Sequence, residues 1–520
     1  MLRGFLKCPS CHKDYPIESG IFSCPGDRTG EEHTLCRILP PDSQAAKGIR
    51  KSWVAGSRRT FDLFHPLLSG CNLLGQSRYC RILDGVTDRL LRLEGRDFEI
   101  TPLSEEPGLA AGLGRSGLLW VKNETGNVTG SHKGRHLMGT LLYVEALREL
   151  KGEGAKKILA IYSCGNAALG ASAVARAGGY ELHAFVPEDV DPAVAAMLEE
   201  RGTVVEKIPR SSTGAGDPCY LAFHKALTEN GWLPFACAGN DNWSNIEGGS
   251  TLGWELALQF EERAETVDHL VIQVGGGALA RAVAQAIEEA YRLGLLERLP
   301  RIHVCQPEGG FPFVRAYLLA LSEIARRSGQ SFDLNYDNGA DPVEQLQRAL
   351  EFSRARSDQV QKLAAFNSRN FDSPAVQSAL NHMAGNAGHF MWPWDGAAPH
   401  SLAHGILDDL TYDWYYLLRA VLRSGGKAEI LAEGTIRDAY EKAQLHTGIP
   451  VCPTGAAGLA GLMQLQASGA IDRSESVGLF FTGFDRSKAG WYGKSSKSPQ
   501  PPLEKGAGGI MFHFGQCGSP

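Results

Sequence analysis

Four glycine- and hydroxyl-rich turns in this chain of 520 residues carry the side chains whose types and spacing could do chemistry. In the first, Lys122-Asn-Glu124-Thr-Gly-Asn127-Val128-Thr129-Gly130-Ser131-His132-Lys133-Gly134-Arg135, an apolar strand runs into a Thr/Gly/Ser turn that ends on a lysine at a helix start. Lys133 there lies near the positive end of a helix dipole, which favours the free amine that a Schiff base needs. A Walker-type phosphate loop is the competing reading, but its Gly-x-x-x-x-Gly-Lys-Ser/Thr spacing is absent. In the second, Ile161-Tyr-Ser163-Cys164-Gly165-Asn166-Ala167, successive backbone N–H groups make an anion nest that suits a carboxylate, and Asn166 adds an amide. The third, Val274-Gly275-Gly276-Gly277-Ala278-Leu279, has three glycines whose missing side chains let a phosphate approach the backbone. In the fourth, Cys452-Pro-Thr454-Gly opens a helix, and Thr482 ends the last strand with a hydroxyl at the sheet's carboxyl edge.

A separate cluster lies at the N-terminus, where Cys8-Pro-Ser-Cys11 is followed by Cys24 and by His33-Thr-Leu-Cys36. Two residues between Cys8 and Cys11 let one tight turn aim both thiolates at a tetrahedral ion, and the spacing to Cys24 suits a returning hairpin. The pattern looks like a zinc ribbon with Cys36 as fourth ligand and His33 as its competitor. Four protein ligands would close the site, so its role would be structural. The other eight cysteines are scattered and read as reduced thiols.

Elements along the whole chain must position these turns. Residues 1–40 form the ribbon-like module, and residues 41–100 show no long periodic pattern and read as a connecting segment. From Leu118 short apolar strands alternate with Ala/Leu-rich helical stretches, which implies α/β architecture with a mostly parallel sheet covered on both faces. The rhythm lapses over about 311–400, read as an insertion and a candidate lid. Helical patterns return before the last strand at 476–481, and the Gly/Ser/Lys/Pro-rich tail at 487–520 is expected to be disordered. Glycine makes up 61 residues, above the roughly 7% that is typical, and the excess sits in the short motifs. A formal net charge of -6 gives no reason to expect nucleic acid or an anionic membrane, and residues 1–60 lack an aromatic-studded basic surface. With no secretion signal and no long apolar run, the expectation is a soluble cytoplasmic protein.

The ordered set of motifs resembles the fold type II pyridoxal-phosphate enzymes, the tryptophan synthase β-like family, and within it threonine synthase and the threonine/serine dehydratases. The resemblance covers about residues 101–486, with a smaller subdomain at about 130–245, and implies two open, mostly parallel doubly wound sheets. The family pattern Lys-x-Glu-x-x-Asn-Pro-Thr-Gly-Ser-Phe-Lys-Asp-Arg matches Lys122, Glu124, Asn127, Thr129, Gly130, Ser131, Lys133 and Arg135. It makes Lys133 the implied Schiff-base lysine and places Thr129, Ser131 and Arg135 on the substrate side. The Ser-Ser-Gly-Asn pattern matches Ser163, Gly165 and Asn166. It implies that Ser163, Cys164, Gly165 and Ala167 bind the substrate carboxylate, and Asn166 the cofactor's 3-hydroxyl. Gly275, Gly276, Gly277, Ala278 and Leu279 match the phosphate loop, and Thr482 the residue that meets the pyridine nitrogen. Departures stand at Val128 for Pro, His132 for Phe, Gly134 for Asp and Cys452 for the Glu common in dehydratases. The N-terminal ribbon is similar to one found ahead of some threonine synthases.

What the resemblance implies is pyridoxal 5'-phosphate chemistry at the β or γ carbon of an amino acid, with a structural zinc and a homodimer. A neutral Thr482 in place of a carboxylate makes a milder electron sink, which favours elimination or replacement over transamination and racemisation. The expectation is a threonine synthase-like lyase, with O-phosphohomoserine a candidate substrate. The alternatives are a serine/threonine dehydratase-like ammonia-lyase and a non-catalytic metabolite-binding homologue. Arg135 sits about 200° around the helix from Lys133 and so is free either to read an anionic group or to anchor the helix in a salt bridge.

Overall fold

The computed structural model describes residues 4–26, 28–40, 42–163, 165–209, 217–329, 332, 334–339, 341–394 and 400–487. The expected tail at 487–520, beyond its first residue, and Cys164 lie outside the described residues. Two open sheets form the body, as the sequence implied. The larger has six strands in the order Ala428–Leu431, Arg301–Pro307, His269–Gln273, Val477–Phe481, Leu119–Asn123 and Leu103–Glu105, all parallel except the last. The smaller has four parallel strands in the order Val204–Ile208, Leu182–Pro187, Leu159–Tyr162 and Leu233–Pro234. A three-stranded antiparallel sheet, Asp14–Pro16, Phe5–Lys7 and Cys36–Ile38, forms the N-terminal module.

The central strands of the large sheet are buried on both faces, as all-parallel strands under helices must be, and their sequences are near-continuous apolar runs. The lysine, Asn166 and glycine-loop turns each leave the carboxyl end of a parallel strand, where open α/β sheets place ligands. The strand Leu119–Asn123 feeds the helix Lys133–Lys151, Leu159–Tyr162 feeds Asn166–Gly178, and His269–Gln273 feeds Ala278–Arg292. Gly139 of the Lys133–Lys151 helix crosses Gly248 of the Ser244–Arg263 helix so closely that a Cβ at Gly139 would lie 2.4 Å from the Gly248 Cα. The bare backbone of both helices is therefore required at the crossing.

Residues 41–100 differ from the sequence reading. They hold the helices Ser43–Val54, Thr60–Leu63, Ser69–Leu74 and Gln76–Glu94. The last buries Tyr79, Leu83, Val86, Thr87 and Leu90, a helical stripe that interspersed arginines hide from a count of apolar residues. The described helices of the 311–400 stretch pack into the core of the large sheet. The first of them, Pro312–Arg327, buries Phe313, Tyr317, Leu321 and Ile324 there.

Arg135 is the decisive buried charge. Its guanidinium donates to both oxygens of Glu124 (2.8 and 3.0 Å) and both of Glu255 (2.6 and 3.1 Å), and to the Thr101 and Thr251 hydroxyls. Lys122 Nζ joins from the adjoining strand, donating to Glu255 (2.8 Å), Gln259 (2.8 Å) and the Thr101 carbonyl (2.7 Å). All four charged side chains are 0% exposed. This corrects the expectation that Arg135 contacts substrate: every nitrogen of its guanidinium is used inside the protein. Burial alone would raise the pKa of Glu124 and Glu255, but the Arg135 charge outweighs it and holds both carboxyls below the usual range.

Arg135→Met should cost about 3–5 kcal/mol of stability, because it strands two buried carboxylates beside a single lysine. Carboxyls held ionised by the fold stabilise it above their ordinary pKa of about 4.3 and lose that contribution as pH falls below it. The stability gap between wild type and variant, read by denaturant unfolding, is therefore expected to narrow on acidification below about pH 4.

Candidate active site and metal cluster

Lys133 begins its helix with no hydrogen-bond or ion-pair partner for its amine among the described residues. The turn before it is held tightly. Asn127 donates to Glu124 (2.7 Å) and accepts from the Val128 N–H (2.7 Å), and Thr129 takes the left-handed conformation at φ 56. A β-branched residue at positive φ is strained, and such strain persists only where surrounding bonds over-determine it. Ser131 bridges to Gly483, the His132 N–H donates to the Thr482 carbonyl (3.3 Å) and the Phe484 N–H to the Gly130 carbonyl (2.8 Å). The lysine turn and the end of the last strand are thus stitched side by side.

The other predicted residues lie on this edge. Thr482 is buried, and its hydroxyl accepts from the Gln273 side-chain amide (2.8 Å), which leaves the hydroxyl proton free to be donated elsewhere. Asn166 opens its helix with its amide oxygen held by Arg486 (2.6 Å), and the other arm of Arg486 donates to the Thr129 carbonyl (2.8 Å). A Cβ built on Gly483 would lie 3.4 Å from Asn166 Nδ2 and 3.1 Å from Cys452 Sγ, so Asn166, Cys452 and the end of the last strand meet. Ser163 Oγ accepts from the Gly165 N–H (3.3 Å) in the turn that leads to Ala167. Gly277 has φ 96 and caps the helix that begins with Ala278 and Leu279. A Cβ on Gly275 would collide with Asp408 Oδ2 at 2.1 Å.

The structure adds residues that the sequence reading missed. Asp408 is a buried carboxyl set against the glycine loop, and burial pushes it up to about 8 against the opposing pull of the Lys133 charge and the Gly276 N–H. His132 and His136 pack edge to face, with ring centroids 5.6 Å apart. Burial and then the Lys133 charge push both down, His136 to about 3, so both rings are neutral. Two sequence signals were available: a Gln inside an otherwise apolar strand at 273, and the acidic pair Asp408-Asp409. Gly134, where the family has Asp, is explained by Phe98, whose ring atoms would stand 3.0 Å from a Cβ there.

Thr129 Oγ1, Ser131 Oγ, His132 Nε2, Gln273 Oε1 and Asp408 Oδ1 are buried without a hydrogen-bond partner. Buried polar atoms are normally paired, and since Thr129, Ser131 and His132 belong to the lysine turn itself and Asp408 feels the Lys133 charge, these mark room for a polar ligand there. The Asp408 carboxyl sits so close against the glycine loop that no Cβ would fit on Gly275. The residues present therefore fit a phosphorylated pyridine aldehyde: a free amine, a bare loop, an amide at Asn166 and a hydroxyl donor at Thr482.

Residues 96–398 match the family model described as pyridoxal-phosphate dependent enzyme. The chain belongs to this family. Over 253 residues it is 27% identical to a threonine synthase of Synechocystis sp., an alignment that takes in 48% of this chain and 61% of that protein. Among solved structures, the serine racemase of Dictyostelium discoideum has a TM-score of 0.50 at 16% identity, over 78% of this chain and 98% of that one. The diaminopropionate ammonia lyase of Escherichia coli has a TM-score of 0.50 at 15% identity, over 79% and 90%. At these identities the structural matches establish the fold.

In the N-terminal module, the ligand atoms of Cys8, Cys11, Cys24 and His33 lie within 4.8 Å of one another. Cys8 Sγ is 3.3 Å from His33 Nδ1 and Cys11 Sγ is 3.7 Å from Cys24 Sγ, close to the edges of a tetrahedron with bonds of about 2.0–2.3 Å. His33 Nε2 meets Glu31 (3.1 Å), the carboxylate support that metal-bound imidazoles usually have. Cys36 is not in the cluster, which corrects the first choice of fourth ligand in favour of His33. Cys36 starts the strand that pairs with Phe5–Lys7, and its thiol points to the Ala278–Arg292 helix, 3.9 Å from Gln285 Oε1.

Two outcomes follow. His33→Ala should lose bound metal by elemental analysis, whereas Cys36→Ser should keep it. A carboxyl whose pKa is raised by folding costs stability as pH climbs from its ordinary value of about 3.9 to about 8. Asp408→Asn should therefore raise the melting temperature little at pH 4 and progressively more up to pH 8, where the gain levels off.

Proposed function

We propose that the chain catalyses elimination or replacement at the β or γ carbon of an amino acid with pyridoxal 5'-phosphate, as a threonine synthase-like lyase. The observation that carries this reading is the free Lys133 amine between the glycine loop at 275–277 and the Asn166 turn, with a donor hydroxyl at Thr482. Bound there, the cofactor would supply an electron-withdrawing ring that delocalises the electron pair released when the substrate Cα–H bond breaks. Lys133 takes and returns that proton. Gly275, Gly276, Gly277, Ala278 and Leu279 would hold the phosphate, Asn166 the ring hydroxyl, and Ser163, Gly165 and Ala167 the substrate carboxylate, with Thr129 and Ser131 beside them. Because Gln273 donates to the Thr482 oxygen, the Thr482 O–H would be available as a hydrogen-bond donor to the ring nitrogen, which would stay unprotonated. The neutral His132 and His136 leave Lys133 the basic group nearest the reacting carbon.

The similarity to threonine synthase supports a γ-activated substrate such as O-phosphohomoserine. A second reading, a serine/threonine dehydratase-like ammonia-lyase, gains from one observation: Arg135, the expected reader of a distal phosphate, is fully engaged inside the protein. The cysteine/histidine cluster is proposed to hold one structural zinc. A cytoplasmic homodimer is the expected form, and no helix among the described residues is long and apolar enough to cross a membrane.

Borohydride reduction of the holoprotein followed by peptide mapping should place the cofactor adduct on Lys133, and Lys133→Ala should lose the adduct and all turnover. Product masses from a panel of amino acids and their phosphate or acetyl esters then separate the readings. Threonine from O-phosphohomoserine supports the first, 2-oxo acids and ammonia from serine or threonine support the second, and no turnover with cofactor bound points to a metabolite-binding homologue.

A further inference from the structure

The metal cluster and the glycine loop are joined by a short chain of buried contacts. Leu35, two residues after His33, offers its carbonyl to Arg281 Nη2 at 2.7 Å. Arg281 lies in the first turn of the helix that follows the glycine loop, and its Nη1 pairs with Asp413 Oδ1 at 2.5 Å. The Asp413 main-chain N–H donates to the Gly276 carbonyl at 3.0 Å, and its Oδ2 accepts from the Gly239 N–H at 3.1 Å. Two residues back, Thr411 Oγ1 donates to the Gly275 carbonyl at 3.0 Å. A second contact runs in parallel. The Tyr416 ring lies 4.7 Å from the Arg281 guanidinium, and its hydroxyl donates to the carbonyl of Lys7, the neighbour of Cys8, at 3.4 Å.

These contacts hold the carbonyls of Gly275 and Gly276 from behind, which turns the loop's N–H groups toward the anion side. The Arg281 and Asp413 side chains are 2% and 0% exposed. A hydrogen-bonded ion pair so buried is costly to displace, so movement at one end is transmitted to the other. A metal drawing Cys8, Cys11, Cys24 and His33 together fixes the two ribbon carbonyls, at Lys7 and Leu35, from which the chain of contacts starts.

We propose that Arg281 and Asp413 are positioning residues that couple the N-terminal metal cluster to the glycine loop, so that metal in the ribbon tightens binding of the phosphorylated cofactor. The ribbon would then act on the site as well as on stability. This rests on the proposed cofactor site and on the proposed metal site, and the test separates the three.

Full-length protein, stripped of metal by chelation under reducing conditions, is titrated with pyridoxal 5'-phosphate with and without one equivalent of Zn²⁺, and affinity is read from tryptophan fluorescence. The expected result is cofactor binding at least tenfold tighter with zinc. In Arg281→Gln, which keeps the cluster ligands and takes up zinc, the ratio between the two zinc states should fall to within about twofold of unity. Asp413→Asn, nearly isosteric, should do the same and serves if Arg281→Gln does not fold. An arginine that only supported the fold would weaken cofactor binding equally in both zinc states and leave the tenfold ratio intact, which would overturn the proposal. Wild-type protein that binds zinc and cofactor independently overturns the coupling alone. Failure to bind cofactor in either zinc state overturns the cofactor-site reading with it, and failure to take up zinc overturns the metal reading with it.

Discussion

The structure depends on one buried constellation of charge, in which the Arg135 guanidinium is shared between Glu124 and Glu255 with Lys122 completing the balance. Two positive and two negative groups cancel, and each is hydrogen-bonded, so the desolvation cost of bringing them inside is offset only while all four are present. The constellation takes one member from the strand Leu119–Asn123, one from the turn after it, one from the Lys133–Lys151 helix and one from the Ser244–Arg263 helix. Thr60 and Thr101 bring in the chain that precedes them. Its contribution is registry: once Glu124 and Arg135 are locked, the eight residues up to Lys133 have little freedom in how they place the amine.

Commitment elsewhere is what leaves Lys133 available. Asn127 spends hydrogen bonds on Glu124 and the Val128 N–H, Gln273 donates to Thr482, and Arg486 ties Asn166 to the Thr129 carbonyl. Two imidazoles within reach of the lysine are held neutral by burial and by its charge. The same polarity that would destabilise a sealed core becomes tolerable in a pocket built for a polar guest.

The glycine loop, the Asn166 turn, the lysine turn and the end of the last strand were legible in the sequence because each is a local device. A missing Cβ, a helix start or a hydroxyl at a strand end declares itself within a few residues. The partners of Arg135 were not legible in the same way, since Glu255 is far away in the chain and only the helix crossing brings it near. Asp408 and Gln273 act through contacts that only the folded sheet creates. Cys36 lies in a short strand and His33 in the segment before it, and which of them reaches the other three cysteines depends on how that segment folds, which cysteine spacing does not answer. The helical stripe on Gln76–Glu94 was present in the sequence, but charged residues on its other face masked it.

The crossing of Gly139 over Gly248 bears on how a pocket of this kind can diversify. Neither glycine can acquire a side chain without prying apart the two helices that hold Arg135 and Glu255, so that part of the framework is closed to sequence drift. The departures from the family pattern fall beside the lysine instead, at Val128 and His132 before it and at Gly134 after it, where Phe98 fills the space that Gly134 leaves. Exchanges in the lysine turn matched by its packing partners are therefore the route to altered substrate preference that this fold leaves open, while the helix crossing has no room for a side chain.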